Sequence, residues 1–276
     1  MGELSVHALL DTRIVALRDV ICCGRHRHKS AAECSHATSL VFPYRGVYVR
    51  HLGGNEAVAE ANQVLFFNAA ESYCISHPVA GGDACLSLAI DAPLLHELVP
   101  REFMRPGAAL AFKEQRRRID ARTQALVALL RHSLVHHAAE ILEAESLTFT
   151  LVRRALNERT SRTARSTPGR QKLVNRAKLV LSSDLTRRWT LAQIAAEVGV
   201  SPVYLTQVFQ QVEGMPLYRY QLRLRLARAL DLLERCEDLS ALSMDLGFSS
   251  HSHFSSAFRQ TYGRTPAEFQ RSANLR

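Results

Sequence analysis

The chain has 276 residues, of which 47% are hydrophobic and 22% charged, and its formal net charge is +9. This length allows two domains, and the composition excludes an intrinsically disordered chain. The sequence contains no apolar run long enough to cross a membrane and does not open with a signal-peptide pattern. We therefore expect a cytoplasmic protein without membrane association, whose six cysteines are reduced.

The positive charge is concentrated in the C-terminal part of the chain. Residues 1–156 carry 17 Lys and Arg against 16 Asp and Glu, whereas residues 157–276 carry 18 against 10. Neutralisation of phosphates by Lys and Arg drives non-specific affinity for DNA. The asymmetry is consistent with a nucleic-acid partner, although a solvated basic surface would give the same counts.

The N-terminal part has the pattern of a β-rich domain. Residues 40–90 contain short apolar runs separated by Gly-rich turns, and the first run places Tyr48 and Arg50 on one face of a strand. Short strands punctuated by turns predict a small antiparallel barrel or sandwich.

Helices follow the predicted strands. Leu126, Leu130 and Leu134 recur at helical spacing, and a second helix is predicted over residues 139–157. The two helices can close the core of their own domain, form a dimer seam, or do both. Residues 158–171 lack apolar periodicity and are rich in Ser, Thr and Arg, which predicts a linker.

A cluster of cysteines and histidines lies in residues 22–36. Three interpretations stay open at this point: a zinc or iron site, a thiol sensor, or an ordinary loop. The CxxC pairs of structural zinc sites are absent. The candidate metal ligands are Cys22, His26, His28 and Cys34.

Catalysis has little support in the sequence. We find no paired carboxylates, nucleophile elbow or phosphate-binding loop, so we expect a protein that is not an enzyme and needs no cofactor. The alternative is a cupin-type metal-dependent enzyme, or a metal or thiol sensor, fused to a DNA-binding domain.

The most informative feature is a pattern that occurs twice near the C-terminus. Leu191 and Gly199 are matched by Leu239 and Gly247, each 48 residues later, and Phe209 is matched 49 residues later. Each copy combines a short apolar helix, a glycine turn and a second amphipathic helix, which is the plan of a helix-turn-helix unit. The two predicted units are residues 190–212 and 238–262.

Local signals set the ends and faces of these helices. Thr190 with Gln193 fits a capping box, and Asp238 is the corresponding cap in the second unit. The second helix of each unit should turn its apolar face to the core and its polar face to base edges or phosphates. The outward residues are Val203, Thr206, Gln207, Gln210, Ser250, His251, Ser252, Ser255 and Arg259.

A connecting helix should hold the two units. Residues 217–234 form one predicted helix of 18 residues, about 27 Å long at 1.5 Å per residue. Successive major grooves recur about every 34 Å, so two unlike recognition helices could read one asymmetric site.

Residues 172–276 resemble the DNA-binding domain of the AraC/XylS family of bacterial transcription regulators. The resemblance rests on the segments RLARALDLL and DLGFSSHSHFSSAFRQTYGRTPAEFQR and on their spacing. It implies two helix-turn-helix units that bind double-stranded promoter DNA and usually activate transcription, with RNA polymerase as a partner. Gln207 and Gln210 stand where many relatives are basic, so phosphate contacts would depend on Arg219, Arg223, Arg225 and Arg228.

The resemblance extends more loosely to residues 1–157, which look like a cupin-type effector-binding and dimerisation domain. It implies an α+β protein with an N-terminal cupin-like β-barrel and flanking helices, a small-molecule effector in the barrel, and a homodimer. Inward aromatic side chains would line the pocket, although each could equally fill the core. The candidates are Phe42, Tyr44, Tyr48, Phe66 and Tyr73.

Overall fold

The computed structural model describes residues 4–24, 27–107, 110–156 and 167–274. The chain divides into two compact units, Met1–Ser161 and Arg162–Arg276. The first unit is rich in β-strands and the second is helical, in agreement with the fold class predicted from the sequence. In the described ranges, no helix combines the length and the apolar character that a membrane span requires.

The first unit has ten strands in its described part, and the first three of them come before residues 40–90, where the sequence predicted strands. Their bounds are β1 (Leu4–Asp11), β2 (Val15–Cys22), β3 (Glu33–Cys34), β4 (Ser39–Gly46), β5 (Tyr48–Leu52), β6 (Asn55–Ala59), β7 (Gln63–Phe67), β8 (Ser72–Ser76), β9 (Asp83–Ile90) and β10 (Arg116–Arg118). The helices of this unit are α1 (Ala92–Leu98), α2 (Ala121–Val135) and α3 (Ile141–Ala155), with a 3-10 turn at Arg101–Phe103.

The strands form two antiparallel sheets. One has the order β1-β2-β9-β4-β7-β10 and the other the order β3-β8-β5-β6. The predicted barrel is therefore two hydrogen-bonded sheets in the described residues, not one closed sheet.

Each face of the central strands of the larger sheet is buried in a different core. One face, with Phe42 and Phe66, packs with helix residues such as Leu130 and Leu151. The other, with Leu65 and Phe67, packs against Tyr48 of the smaller sheet. The larger sheet thus lies between the helices and the smaller sheet.

The second unit contains seven α-helices in its described part. They are α4 (Pro168–Ser183), α5 (Leu191–Val198), α6 (Pro202–Glu213), α7 (Leu217–Leu232), α8 (Leu239–Asp245), α9 (His251–Tyr262) and α10 (Pro266–Asn274). Helix α4 begins at Pro168, and Thr167 caps it. Most of the predicted linker, residues 158–166, lies outside the described residues.

The connecting helix α7 is shorter than predicted. It ends at Leu232 after 16 residues and continues as a 3-10 turn over Leu233–Arg235, so its α-helical length is about 24 Å. The 3-10 turn tightens the chain just before the second helix-turn-helix unit.

Two sets of buried side chains support the helices of this unit. Around the first helix-turn-helix, Ile194, Phe209 and Tyr220 belong to one apolar cluster. Around the second, the ring of Phe258 lies 5.8 Å from that of Phe254 and 5.9 Å from that of Phe269. Edge-on aromatic contacts of this kind hold α9 and α10 together.

Candidate nucleic-acid interface

Both repeats fold as a short helix, a turn and a longer helix. Gly199 and Gly247 have φ of 73° and 77° at the two turns, a conformation that a residue without Cβ adopts at little cost. The capping box of Thr190 and Gln193 is present, with both reciprocal hydrogen bonds. The Asp238 carboxylate accepts from the N–H groups of Ser240 and Ala241. The capping predictions are therefore confirmed.

The first recognition helix, α6, separates its buried and exposed faces as the spacing predicted. Leu205, Val208 and Phe209 are fully buried. The outward candidates Val203, Thr206, Gln207 and Gln210 are all exposed. Tyr204, which is 44% exposed beside Val203, was not among the predicted outward residues.

The second recognition helix, α9, buries Phe254, Ala257 and Phe258, as predicted. His251, Ser252 and Arg259 are exposed, whereas Ser255 is half-buried. The Oγ atom of Ser255 lies 3.3 Å from Nε2 of His251, so these two side chains orient each other.

Ser250 is the N-cap residue of α9. Its Oγ accepts from the N–H of His253 at 3.1 Å and so caps α9. The exposed residues His253 and Ser256 share this end of the helix and were not among the predicted contacts. The sequence could have indicated them, because His253 and Ser256 belong to the same run of small and polar residues as the predicted contacts.

Arg225 of α7 does not present a free cation, contrary to the sequence-based expectation of a phosphate contact. Its Nε donates to the Leu185 carbonyl at 2.6 Å, and its Nη1 to the Gly247 carbonyl at 3.1 Å. Its Nη2 donates to the carbonyls of Thr186 and Arg187. Burial lowers the pKa of this guanidinium, and neighbouring Arg188 adds to that effect. Arg225 is a cross-link between the loop before the first helix-turn-helix and the turn of the second.

Gly247, in the turn of the second helix-turn-helix, also lies against the loop that Arg225 binds. A Cβ atom at this position would lie 2.1 Å from the Thr186 carbonyl oxygen. The backbone of the loop at residues 185–187 thus contacts the backbone of the turn in the second helix-turn-helix. Together with Arg225, this contact fixes the two helix-turn-helix units relative to each other.

The other arginines predicted to contact phosphates differ in their availability. Arg219 is exposed and Arg223 is half-buried. Arg228 is paired with Asp231. Of this set, Arg219 is the most accessible cation.

Trp189, just before the first helix-turn-helix, is only partly buried. Its indole N–H donates to the Asp184 carbonyl at 3.0 Å, and the Arg187 guanidinium lies 4.0 Å from the ring centroid. Its ring packs against the edge of the apolar cluster that contains Phe209 and Tyr220.

The five candidate effector residues do not share one face. Phe42, Tyr44 and Phe66 lie in the core beneath the helices, and their contact with an effector stays a prediction. Tyr48 and Tyr73 lie between the two sheets. The alternation could not distinguish these cases, because β4 and β7 are buried on both faces.

Arg50 lies on the same side of β5 as Tyr48 and is fully buried. Its Nη1 donates to the Phe66 carbonyl at 2.6 Å, and its guanidinium lies 3.8 Å from the centroid of Phe67. Burial lowers the pKa of Arg50 and raises that of Tyr73 to about 12. The sequence placed Arg50 on the face of Tyr48 but gave no signal that a cation would be buried there.

The predicted metal ligands are not brought together. Cys34 is exposed on β3 of the smaller sheet, and His28 is exposed in a loop. His26 lies outside the described residues. Cys22 instead lies at the end of β2, in a group with His77 and Asp83. Burial raises the pKa of Cys22, which keeps the thiol protonated near neutral pH and disfavours a reactive thiolate sensor.

The comparisons with known proteins concern mainly the C-terminal unit. A family model described as a helix-turn-helix domain matches residues 194–272. The probable transcriptional regulator LumQ of Photobacterium leiognathi is 32% identical over 161 residues, which are 55% of this chain and 61% of LumQ. The regulator ArgR of Pseudomonas aeruginosa is 34% identical over 96 residues, which are 34% of this chain and 29% of ArgR. The chain thus spans less than two thirds of these curated relatives.

A solved structure shows the same similarity. It is a transcriptional regulator with an AraC-type DNA-binding domain from Chromobacterium violaceum, 31% identical, covering 39% of this chain and 96% of its own, with a TM-score of 0.37. By name, the two curated relatives are regulators of transcription, in agreement with the prediction of a regulator rather than an enzyme. With the repeated helix-turn-helix units and their connecting helix, the family model and the curated relatives show that the chain belongs to the AraC/XylS family of bacterial transcription regulators.

Proposed function

We propose that this protein is a cytoplasmic transcription regulator that binds double-stranded promoter DNA through both helix-turn-helix units of one chain. The residues assigned to base edges are the exposed ones of α6 and α9, with Gln207 on the first helix and His251 on the second. Glutamine can pair with adenine through two hydrogen bonds, and small hydroxyl groups suit phosphates as well as bases.

The observation that carries this proposal is the junction at Arg225. Its guanidinium donates to the carbonyl of Leu185, in the loop before the first helix-turn-helix, and to that of Gly247, in the turn of the second. A rigid connection costs little conformational entropy on binding, so both recognition helices can engage one duplex together. Because their exposed residues differ, the site they read is asymmetric.

The N-terminal unit is assigned to regulation by a small effector. Tyr48 and Tyr73 lie between the sheets beside the Arg50 guanidinium, so a ligand bound there would meet two aromatic rings near a buried cation. Binding there would shift a balance between DNA-binding geometries of the regulator, with RNA polymerase as the partner at the promoter.

Exposed apolar side chains on the helices of this unit support a homodimer. Ile141 and Leu142 of α3 are 62% and 75% exposed, and Val135 at the end of α2 is 38% exposed. Such residues on one helical layer suit an interface with a second copy. Sedimentation of the full chain tests this, with Leu142→Glu expected to shift a dimer to monomer. A wild-type protein that stays monomeric at all concentrations would overturn the assignment.

The DNA-binding proposal is tested by selecting duplexes from a randomised library with the full chain and then mapping contacts by hydroxyl-radical footprinting. We expect two unlike protected segments on one side of the duplex, about 10 base pairs apart. Arg225→Met should leave each segment recognisable but relax the preference for their spacing. A single protected segment, or no enriched sequence, would overturn the proposal.

A further inference from the structure

A second chemical site lies in the N-terminal unit, apart from any DNA contact. Cys22, His77 and Asp83 each offer one ligand atom, and these atoms all lie within 4.8 Å of one another. The Nε2 atom of His77 is 2.7 Å from Oδ1 of Asp83. A thiol, an imidazole and a carboxylate thus converge from two distant segments of the sequence, one at Cys22 and the other at His77 and Asp83.

The strand pairing brings these residues together. Cys22 is the last residue of β2 and is paired with Asp83, the first residue of β9. His77 directly follows β8 of the other sheet. His77 and Asp83 are 8% and 6% exposed, whereas Cys22 is half-buried. Protein therefore surrounds the imidazole and the carboxylate, whereas Cys22 is partly accessible to solvent.

Glycines allow the backbone segments around the cluster to approach this closely. A Cβ atom on Gly82 would lie 2.2 Å from the Cys22 carbonyl oxygen, and one on Gly24 would lie 2.6 Å from Cα of Gly82. Both glycines have positive φ, 58° at Gly24 and 70° at Gly82. The close approach is thus specified by the sequence, and it restrains the segments that carry the ligands.

The ligand types select among metals. Sulfur and nitrogen with one carboxylate oxygen suit Zn²⁺, whereas Mg²⁺ and Ca²⁺ require oxygen ligands. The Cys85 thiol lies 3.6 Å from the second carboxylate oxygen of Asp83, so it holds that carboxylate in place. A buried hydrogen bond between His77 and Asp83 satisfies those two groups without an ion, and the adjacent Cys22 sulfur has a backbone hydrogen bond with Gly24.

We propose that Cys22, His77 and Asp83 bind one Zn²⁺ ion, with the fourth tetrahedral position open to water or another small ligand. On binding, the ion replaces the proton of the Cys22 thiol, which leaves to solvent, while the single proton of a neutral His77 ring moves to Nδ1 so that Nε2 can bind the ion. The ion would join the ends of β2, β8 and β9 and so fasten one sheet to the other. The site is independent of the DNA-binding helices.

The test uses the full-length protein, stripped of metal under reducing conditions, with Co²⁺ as a spectroscopic probe for Zn²⁺. We expect one ion per chain and a thiolate-to-cobalt charge-transfer band that Zn²⁺ displaces. Cys22→Ser should abolish the band. Cys34→Ser, which alters an exposed cysteine outside the cluster, should leave it unchanged.

His77→Gln should weaken binding by more than about 10-fold, since changes to groups that merely orient ligands already weaken binding by about 10–100-fold. If the ligand variants fail to fold, the wild type still decides. Zn²⁺ should slow alkylation of Cys22, read by peptide mass, and leave Cys34 unaffected. Substoichiometric uptake, a band that survives Cys22→Ser, or equal protection of both cysteines would overturn the proposal.

Discussion

The Nζ atom of Lys178 lies 2.7 Å from Oε1 of Glu213, and both side chains are fully buried in the second unit. Lys178 belongs to α4 and Glu213 to the last turn of α6, so the pair joins the first helix of the unit to the end of a recognition helix. The ring of Tyr220 lies 5.2 Å from the ammonium nitrogen. A buried ion pair of this kind fixes geometry more than it adds stability, because desolvation offsets much of the attraction.

Removing one partner of this pair should be costly. Lys178→Met would leave the Glu213 carboxylate buried without its ammonium, and we expect a loss of about 3–5 kcal/mol in the free energy of unfolding, measured with urea. The double variant Lys178→Met, Glu213→Leu should recover most of that loss, since both charges are gone. Single variants that unfold like the wild type would show that the pair carries no such coupling.

Gly199 and Gly247 offer a matched comparison, because they have similar positive φ at equivalent turns. Space around Gly199 is open, so Gly199→Ala should cost only the left-handed strain of about 1–2 kcal/mol. Gly247→Ala should cost about 2–5 kcal/mol, because its Cβ would also strike the Thr186 carbonyl. Urea unfolding of both variants measures the difference, and equal losses would contradict the tight junction at Gly247.

The sequence predicts the features of this fold that depend on residues close together in the chain, and it does not predict those that depend on contacts between distant residues. The helix-turn-helix units were predictable because Thr190, Gly199 and the apolar spacing of α6 act within a few residues. The role of Arg225 was not, since its partners are backbone carbonyls that no sequence pattern reveals. The grouping of Cys22 with Asp83 depends on the register of β2 with β9, which long-range pairing sets.

Base preference provides a direct test of the first recognition helix. Gln207→Ala should reduce discrimination at one base pair of the selected site by about 1–3 kcal/mol, as for a lost bidentate contact. Gln211→Ala is the matched control, because the Gln211 amide oxygen accepts from Arg170 at 3.2 Å and is held away from a base. Competition binding with single-base variants measures the effect. A uniform loss on all sequences would place Gln207 at a phosphate instead.

Acid stability should report on Asp184, in the loop that Arg225 holds. Hydrogen bonds from the Thr186 side chain, and then from the Arg187 N–H, lower the pKa of this carboxyl below its usual value of 3.8. The stabilisation is therefore present above the unfolded-state pKa and is lost as the pH falls through the lower folded-state value. Asp184→Asn should remove this part of the pH dependence.

Thr186→Val should raise the pKa of Asp184 towards its usual value, which a carboxyl titration by NMR would measure. Because the carboxyl is exposed, the accompanying change in stability is small, and the direction is the informative result. A titration midpoint of Asp184 that is the same with and without the threonine hydroxyl would contradict the assignment.

The two compact units predict that the DNA-binding part folds alone. A fragment of residues 167–276 retains Thr167, whose side chain accepts from the Arg170 N–H and caps α4. We expect this fragment to be helical and to bind DNA, with an affinity that falls steeply as salt rises, because phosphate contacts release counterions. A fragment of residues 172–276 lacks the cap and should be less stable by about 0.5–2 kcal/mol. If the longer fragment is folded but binds no duplex at low salt while the full chain does, DNA binding requires the N-terminal unit, and dimerisation becomes part of recognition.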